Sequence, residues 1–156
     1  MLKNWRYAVY ISRHKWFVLL SGIRLGYWSL LWRLIIHDWS KFTPSEWGPY
    51  ARYFFGPKEN RDHKGFDYAW LHHIHHNKHH WDYWCLVEED EEGCVRALRM
   101  PRKYALEMVF DWMGAGRAIT GKWEVKSWYE SNKDNIVLHP ATRRFVEGIL
   151  NSDNGE

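Results

Sequence analysis

Residues 28–42 read Trp28-Ser29-Leu30-Leu31-Trp32-Arg33-Leu34-Ile35-Ile36-His37-Asp38-Trp39-Ser40-Lys41-Phe42. Leu30, Leu31, Leu34, Ile35 and Ile36 recur at helical spacing, so a buried helix is expected from about Tyr27 to Trp39. Its end carries adjacent His37 and Asp38, the first polar feature after the apolar run. An imidazole nitrogen beside a carboxylate oxygen suits a divalent transition metal. The stretch therefore predicts both a helical architecture and a chemistry.

Upstream, Trp5 to Leu20 reads as a helix carrying His14, with a break over Ser21 to Gly26. The run from Trp16 to Ile36 has the length of a membrane span. Arg24 and Arg33 lie inside it, at about 3 kcal/mol each on insertion scales, and Ser21-Gly22 and Gly26 interrupt it. Two short buried helices are expected instead, with no span and no signal peptide. Downstream, Thr43, Pro44 and Glu46 have the N-cap, N1 and N3 pattern of a helix over Pro44 to Phe55. After a polar connector from Gly56 to Gly65, a fourth helix is expected over Phe66 to His80. Trp84 to Val87 and Cys94 to Leu98 read as a hairpin around the acidic tip Glu88 to Glu92. Pro101 opens a fifth helix to about Ala118, weakened at its end by Gly114 and Gly116. Two shorter helices follow, over Glu124 to Asn132 and from Pro140 to Leu150.

The 156 residues make a single expected domain, residues 1–150, with a frayed tail over 151–156. Twelve Trp, nine Tyr and seven Phe predict a core of large rings. A net charge of +3 is far from the concentrated basic surface of a duplex-DNA binder, whereas a small phosphate-bearing substrate needs only a few local cations. Cys85 and Cys94 lack the paired spacing of a zinc site, which predicts a reduced, cytoplasmic protein; a cross-hairpin disulfide would need an oxidising compartment.

Six of the ten His fall between His72 and His80. At helical spacing His73, Asn77 and His80 share one side, and His72, His76 and His79 a neighbouring one. A His-rich face can be solvated, or can act as a loose metal strip. Here Tyr68-Ala69-Trp70-Leu71 precedes the run and Trp81-Asp82-Tyr83-Trp84 follows it, so part of it turns into the core. Asp111 lies between Phe110 and Trp112, where burying a carboxylate demands a partner. A bundle that joins these helices would bring His14, His37, Asp38 and Asp111 together as metal ligands. Lys41, three residues after Asp38, falls on the metal side of a continuing helical turn. Glu107, one turn before Asp111, is a candidate to orient a ligand His. Gly114-Ala115-Gly116-Arg117 lacks a nucleotide-loop pattern, but Arg117 can reach a substrate phosphate, and Asn77 is a second candidate substrate contact. Nothing supports a Ser-His-Asp or Cys-His nucleophile.

The order His, His-Asp, distant Asp resembles the HD superfamily of metal-dependent phosphohydrolases. The segments His37 to Phe42, His73 to His80 and Glu107 to Trp112 also resemble an uncharacterised domain family of bacteria and their phages, over most of residues 10–145. The resemblance implies an all-α HD-type bundle of six or seven helices with a small β-hairpin insert. It implies one or two divalent ions (Mn, Fe, Co or Zn), with His73, His79 and His80 as additional ligands. HD-GYP phosphodiesterases are similar in carrying a Lys at the place of Lys41, which implies charge stabilisation of a phosphoryl oxygen; the Gly-Tyr-Pro segment of those enzymes is missing here. The expected function is hydrolysis of a nucleotide or other small phosphate ester, with Asp38 and Lys41 catalytic. The alternative is a non-catalytic metal-containing regulatory protein.

Overall fold

The computed structural model describes residues 2–88 and 94–152. Among them are seven α-helices and one antiparallel hairpin: α1 Leu2–Arg24, α2 Leu31–Ile35, α3 Pro44–Phe55, α4 His63–His76, β1 Cys85–Val87, β2 Val95–Ala97, α5 Arg102–Thr120, α6 Val125–Asn132 and α7 Pro140–Ser152. The strands pair with Cys85 opposite Ala97 and Val87 opposite Val95. This is the expected all-α bundle with a hairpin insert. The acidic tip beyond Glu88 and the tail beyond Ser152 lie outside the described residues; Asn151 and Ser152, expected in the tail, continue α7.

Helix α1 buries Tyr7, Ile11, His14, Val18 and Ser21, spaced alternately four and three apart, with Gly22 buried beside Ser21. His14 is thus a member of the core stripe. Ser21 and Gly22 do not break the helix. Ser21 Oγ donates to Phe17 O, and Gly22 lies so close to Leu34 that a Cβ there would meet its Cδ1 at 2.2 Å. The stop comes at Gly26, with φ 76°, where Tyr27 N donates to Gly22 O and Gly26 N to Ile23 O. These two bonds form a Schellman cap.

The expected helix from Tyr27 to Trp39 is much shorter, because its chain turns after Ile36. Asp38 adopts φ 55° and ψ 27°, the left-handed region, and a 3₁₀ turn over Trp39–Phe42 follows. It is the one non-glycine residue with positive φ among the described residues, and Asp tolerates that region better than most side chains. In a continuous helix, neighbouring His37 and Asp38 would diverge by about 100°; here both are buried in one cluster. Lys15 supports the turn by donating to the carbonyl oxygens of Ile35 and His37, a cation at carbonyls the helix leaves free.

Helix α5 is buried on nearly all sides and packs along α1. Gly114 does not end it. A Cβ at Gly114 would lie 2.5 Å from Val18 Cγ2 and 2.7 Å from Val18 N, so the glycine is where the two helices cross closely. One apolar cluster gathers Val18, Leu34, Phe110, Val146 and their neighbours. A second gathers Tyr7, Ile11, Tyr50, Ala51 and Ala69. His14 falls between Ile11 and Val18, where the two clusters meet along α1. Among the described residues no helix is long and apolar enough to cross a membrane.

Candidate metal centre

Seven of the expected ligands converge in two overlapping sets. His14, His37, Asp38 and Asp111 form the first, and Asp38, His73, His79 and His80 the second. Asp38 belongs to both. Its Oδ2 lies 3.4 Å from His14 Nε2 and 3.4 Å from His37 Nε2. Its Oδ1 lies 3.4 Å from His73 Nε2 and 3.4 Å from His79 Nε2. Asp111 Oδ1 closes the first set at 3.1 Å from His14 Nε2 and 3.3 Å from His37 Nε2. In the second set His73 Nε2 and His80 Nε2 face each other at 2.8 Å.

These separations test whether the residues fit an ion. Two ligands bonded to one ion at about 2.1 Å, at octahedral to tetrahedral angles, stand about 3.0 to 3.4 Å apart. Most of the measured pairs fall in that interval. His14 Nε2, Asp38 Oδ1 and His79 Nε2 are buried and make no hydrogen bond among the described residues. Orphaned buried acceptors are costly, at about 1–3 kcal/mol each, unless something coordinates them. The donor set fits, and these buried clusters can hold a metal ion.

Outward-facing hydrogen bonds orient the rings. His37 Nδ1 donates to Glu107 Oε1 at 3.2 Å, and His79 Nδ1 lies 3.4 Å from the same oxygen. Glu107 Oε2 in turn lies 2.6 Å from Arg33 Nε. His73 Nδ1 donates to Glu46 Oε2 at 2.8 Å, and His72 Nδ1 to Glu46 Oε1 at 2.7 Å. Each carboxylate fixes the tautomer that leaves Nε2 facing the centre, the usual arrangement around a metal.

Burial penalises charge on every group here, and the neighbours decide the outcome. Asp38 is held well below the usual carboxylate range by His37, Lys41 and His73. The neighbouring rings of His14 and His37 do the same for Asp111, and His37 and His79 bring Glu107 down to about 2. Asp38 together with Asp111 and Glu107 lifts His37 well above the ordinary imidazole value. His79 is lowered by burial and by His37, and His80 well lowered by burial and by His79, which keeps both rings neutral as ligation requires. Lys41 resists burial because Asp38 and Asp111 hold its ammonium charged, with Nζ 2.6 Å from Asp38 Oδ2.

Three expectations change. Helix α4 ends at His76, so His79 and His80 do not extend its stripes; the turn after Asn77 brings them back to the cluster. Asn77 Nδ2 donates to His73 O at 2.8 Å and Ser40 Oγ at 2.7 Å, so the amide supports that turn. Arg117 does not reach the centre: its guanidinium donates to Gly121 O and lies over Phe17 and Trp123. Glu46 holds the N3 place of the expected helix start, but no side-chain cap forms at Thr43 and its carboxylate is fully buried against His72 and His73. Its only sequence signal was its place at N3, which the cap accounts for equally well. Cys85 and Cys94 are free thiols. His75 is exposed and in neither set. His75→Gln is expected to leave metal content unchanged, as read by elemental analysis.

Two cavities meet this centre. One, of about 510 Å³, is lined by Arg33, His37, His72, His76, Asn77 and Glu107 among others. The other, of about 620 Å³, combines His14, Lys41, His80 and Asp111 with a wall of aromatic rings. A family model described as "Family of unknown function (DUF5662)" matches residues 3–152. No curated protein and no solved structure matches the chain.

Proposed function

The chain belongs to this family of unknown function, and from its own residues we propose that it is a metal-dependent phosphohydrolase acting on a nucleotide or another small phosphate ester. The observation that carries the reading is Asp38, whose two oxygens face two donor sets while Lys41 sits 2.6 Å from one of them. A shared carboxylate between two ion positions is the arrangement that two-metal hydrolysis uses. His14, His37, Asp38 and Asp111 would hold one divalent ion; Asp38, His73, His79 and His80 would hold the other. Mixed nitrogen and oxygen donors favour Mn, Fe, Co or Zn. When bound, such ions lower the pKa of water and polarise a phosphoryl group.

The chain's own groups supply the rest. Glu107 and Glu46 hold the ligand rings in the tautomer that presents Nε2. Arg33 balances Glu107. Lys41, kept charged by Asp38 and Asp111, faces the negative charge that builds on a phosphoryl oxygen. In the overall reaction the water oxygen bonds to phosphorus, one ester P–O bond breaks and the alcohol leaves with a proton from the water, so that a monoester leaves inorganic phosphate and a diester leaves a monoester.

Metal analysis of the purified protein, coupled to a panel of nucleotides, phosphomonoesters and phosphodiesters with added divalent ions, tests the reading. Bound metal with phosphate release is expected. Bound metal with no turnover across the panel favours the regulatory alternative. Lys41→Ala is expected to keep the metal and lower kcat ~100-fold, the scale of losing one positioned charge-stabilising donor. Chelation is expected to lower Tm by about 10 °C, since an ion at 1,000 times its Kd contributes ~4 kcal/mol and each kcal/mol moves a domain of this size about 2–4 °C. A scan with and without EDTA reads this without any assay of turnover.

A further inference from the structure

The two cavities at the centre differ in chemistry, and the aromatic one contains two groups that the metal reading leaves unused. Tyr7 and Tyr50 are 1% and 5% exposed. Their hydroxyls make no hydrogen bond among the described residues. Either ring would pack equally well as Phe, so each orphaned hydroxyl is a cost the fold alone does not explain. Both residues line the 620 Å³ cavity together with Lys41, His14 and Asp111. The rings of Tyr7 and Tyr50 are 6.2 Å apart, and Lys41 Nζ lies 5.8 Å from the Tyr50 ring centre. Two tyrosines with unpaired hydroxyls and an ammonium therefore line one cavity together with His14 and Asp111 of the first donor set. Such a set suits a doubly charged oxyanion, because hydroxyl and ammonium groups can all donate to its oxygens.

The rest of the wall has a different character. Phe54, Phe66, Trp70, Trp112 and Trp128 contribute flat apolar surface to the same cavity. Aromatic faces at this density favour a planar ring through stacking and edge contacts, and they reward a hydrated polyol poorly.

We propose that this cavity binds a phosphate monoester whose alcohol half carries a flat aromatic ring, with the phosphoryl group against Tyr7, Tyr50 and Lys41 and the ring among the tryptophans. The proposal rests on the phosphohydrolase reading for the reacting group, and its binding half is testable without turnover.

The probes are inorganic phosphate, phenyl phosphate, thymidine 5′-monophosphate and glycerol 3-phosphate, titrated calorimetrically into metal-loaded protein. Phenyl phosphate or thymidine 5′-monophosphate is expected to bind at least tenfold tighter than glycerol 3-phosphate; which of the two leads separates a ring on the ester oxygen from a ring carried by a sugar. Trp128→Leu should shrink that advantage and leave inorganic phosphate binding as it is. Tyr7→Phe and Tyr50→Phe are expected to keep full metal content, to hold or raise Tm, and to weaken inorganic phosphate about tenfold. A merely structural hydroxyl would give the reverse, a lower Tm with unchanged phosphate affinity, and that result overturns the proposal. Equal affinity for glycerol 3-phosphate and both ring-bearing probes also overturns it. Tyrosine-dependent binding without hydrolysis of any probe would instead refute the phosphohydrolase reading and leave this binding site standing.

Discussion

Asp38→Asn is expected to empty both halves of the centre and lower turnover by more than ~100-fold, a loss that removing even an outer hydrogen-bond partner of a metal ligand can reach. Asp38 is the residue common to the two donor sets, and a neutral amide is a poorer ligand than a carboxylate. Asn is also the substitution best suited to the left-handed φ of 55° at this position. Loss of metal in a folded Asp38→Asn protein would therefore reflect coordination and not backbone strain. Asp111→Asn touches only the first set and is expected to release less metal. Elemental analysis beside a phosphate-release assay checks both. Full metal in both variants, with loss confined to substitutions in His72 to His80, would mean that the histidine run binds metal by itself and that the shared centre is wrong.

Gly114→Val is expected to damage the same centre from a residue that is no ligand. Its Cβ would sit 2.5 Å from Val18 Cγ2 and 2.7 Å from Val18 N, and backbone cannot yield as a side-chain tip can. Overpacking of this kind costs about 1–3 kcal/mol or more, which for a domain of this size is a fall of about 2–12 °C in Tm. His14 lies one turn before Val18, and Asp111 three residues before Gly114. Forcing α1 from α5 thus opens the 3.1 Å approach of His14 to Asp111, so metal affinity should fall with Tm. Gly116→Ala is the control: a Cβ there meets nothing within 4 Å, and removing a helix-interior glycine should hold or slightly raise Tm. Equal behaviour of the two variants would refute the close-approach account.

Much of the architecture was legible in local pattern. Pro44 marked the start of α3, the acidic tip between β-prone runs marked the hairpin, the helical pattern placed His14 and Glu107 on helices, and the apolar neighbours Phe110 and Trp112 marked Asp111 as a carboxylate in need of a partner. Those features depend on the period of a helix or strand and on proline chemistry, which neighbouring residues determine. Other features required the packed chain. Asp38 reaches two donor sets only because the backbone leaves the helix at Ile36, and that turn is held by Lys15, which is 20 residues away from Ile35. His79 was read on a helical stripe that ends before it. Glu46 had a local use at a helix N-terminus, and only the arrival of α4 beside α3 gives its carboxylate two imidazoles. Arg117 carries the right charge but points to Gly121, Phe17 and Trp123. Gly114 looked like a helix breaker until Val18 was found against it. Sequence by itself determined which residue types and which periodicities the chain carries. Tertiary structure decided which of those side chains share one buried point, because long-range approach sets the distances between donors on separate helices, and no spacing along one helix encodes them.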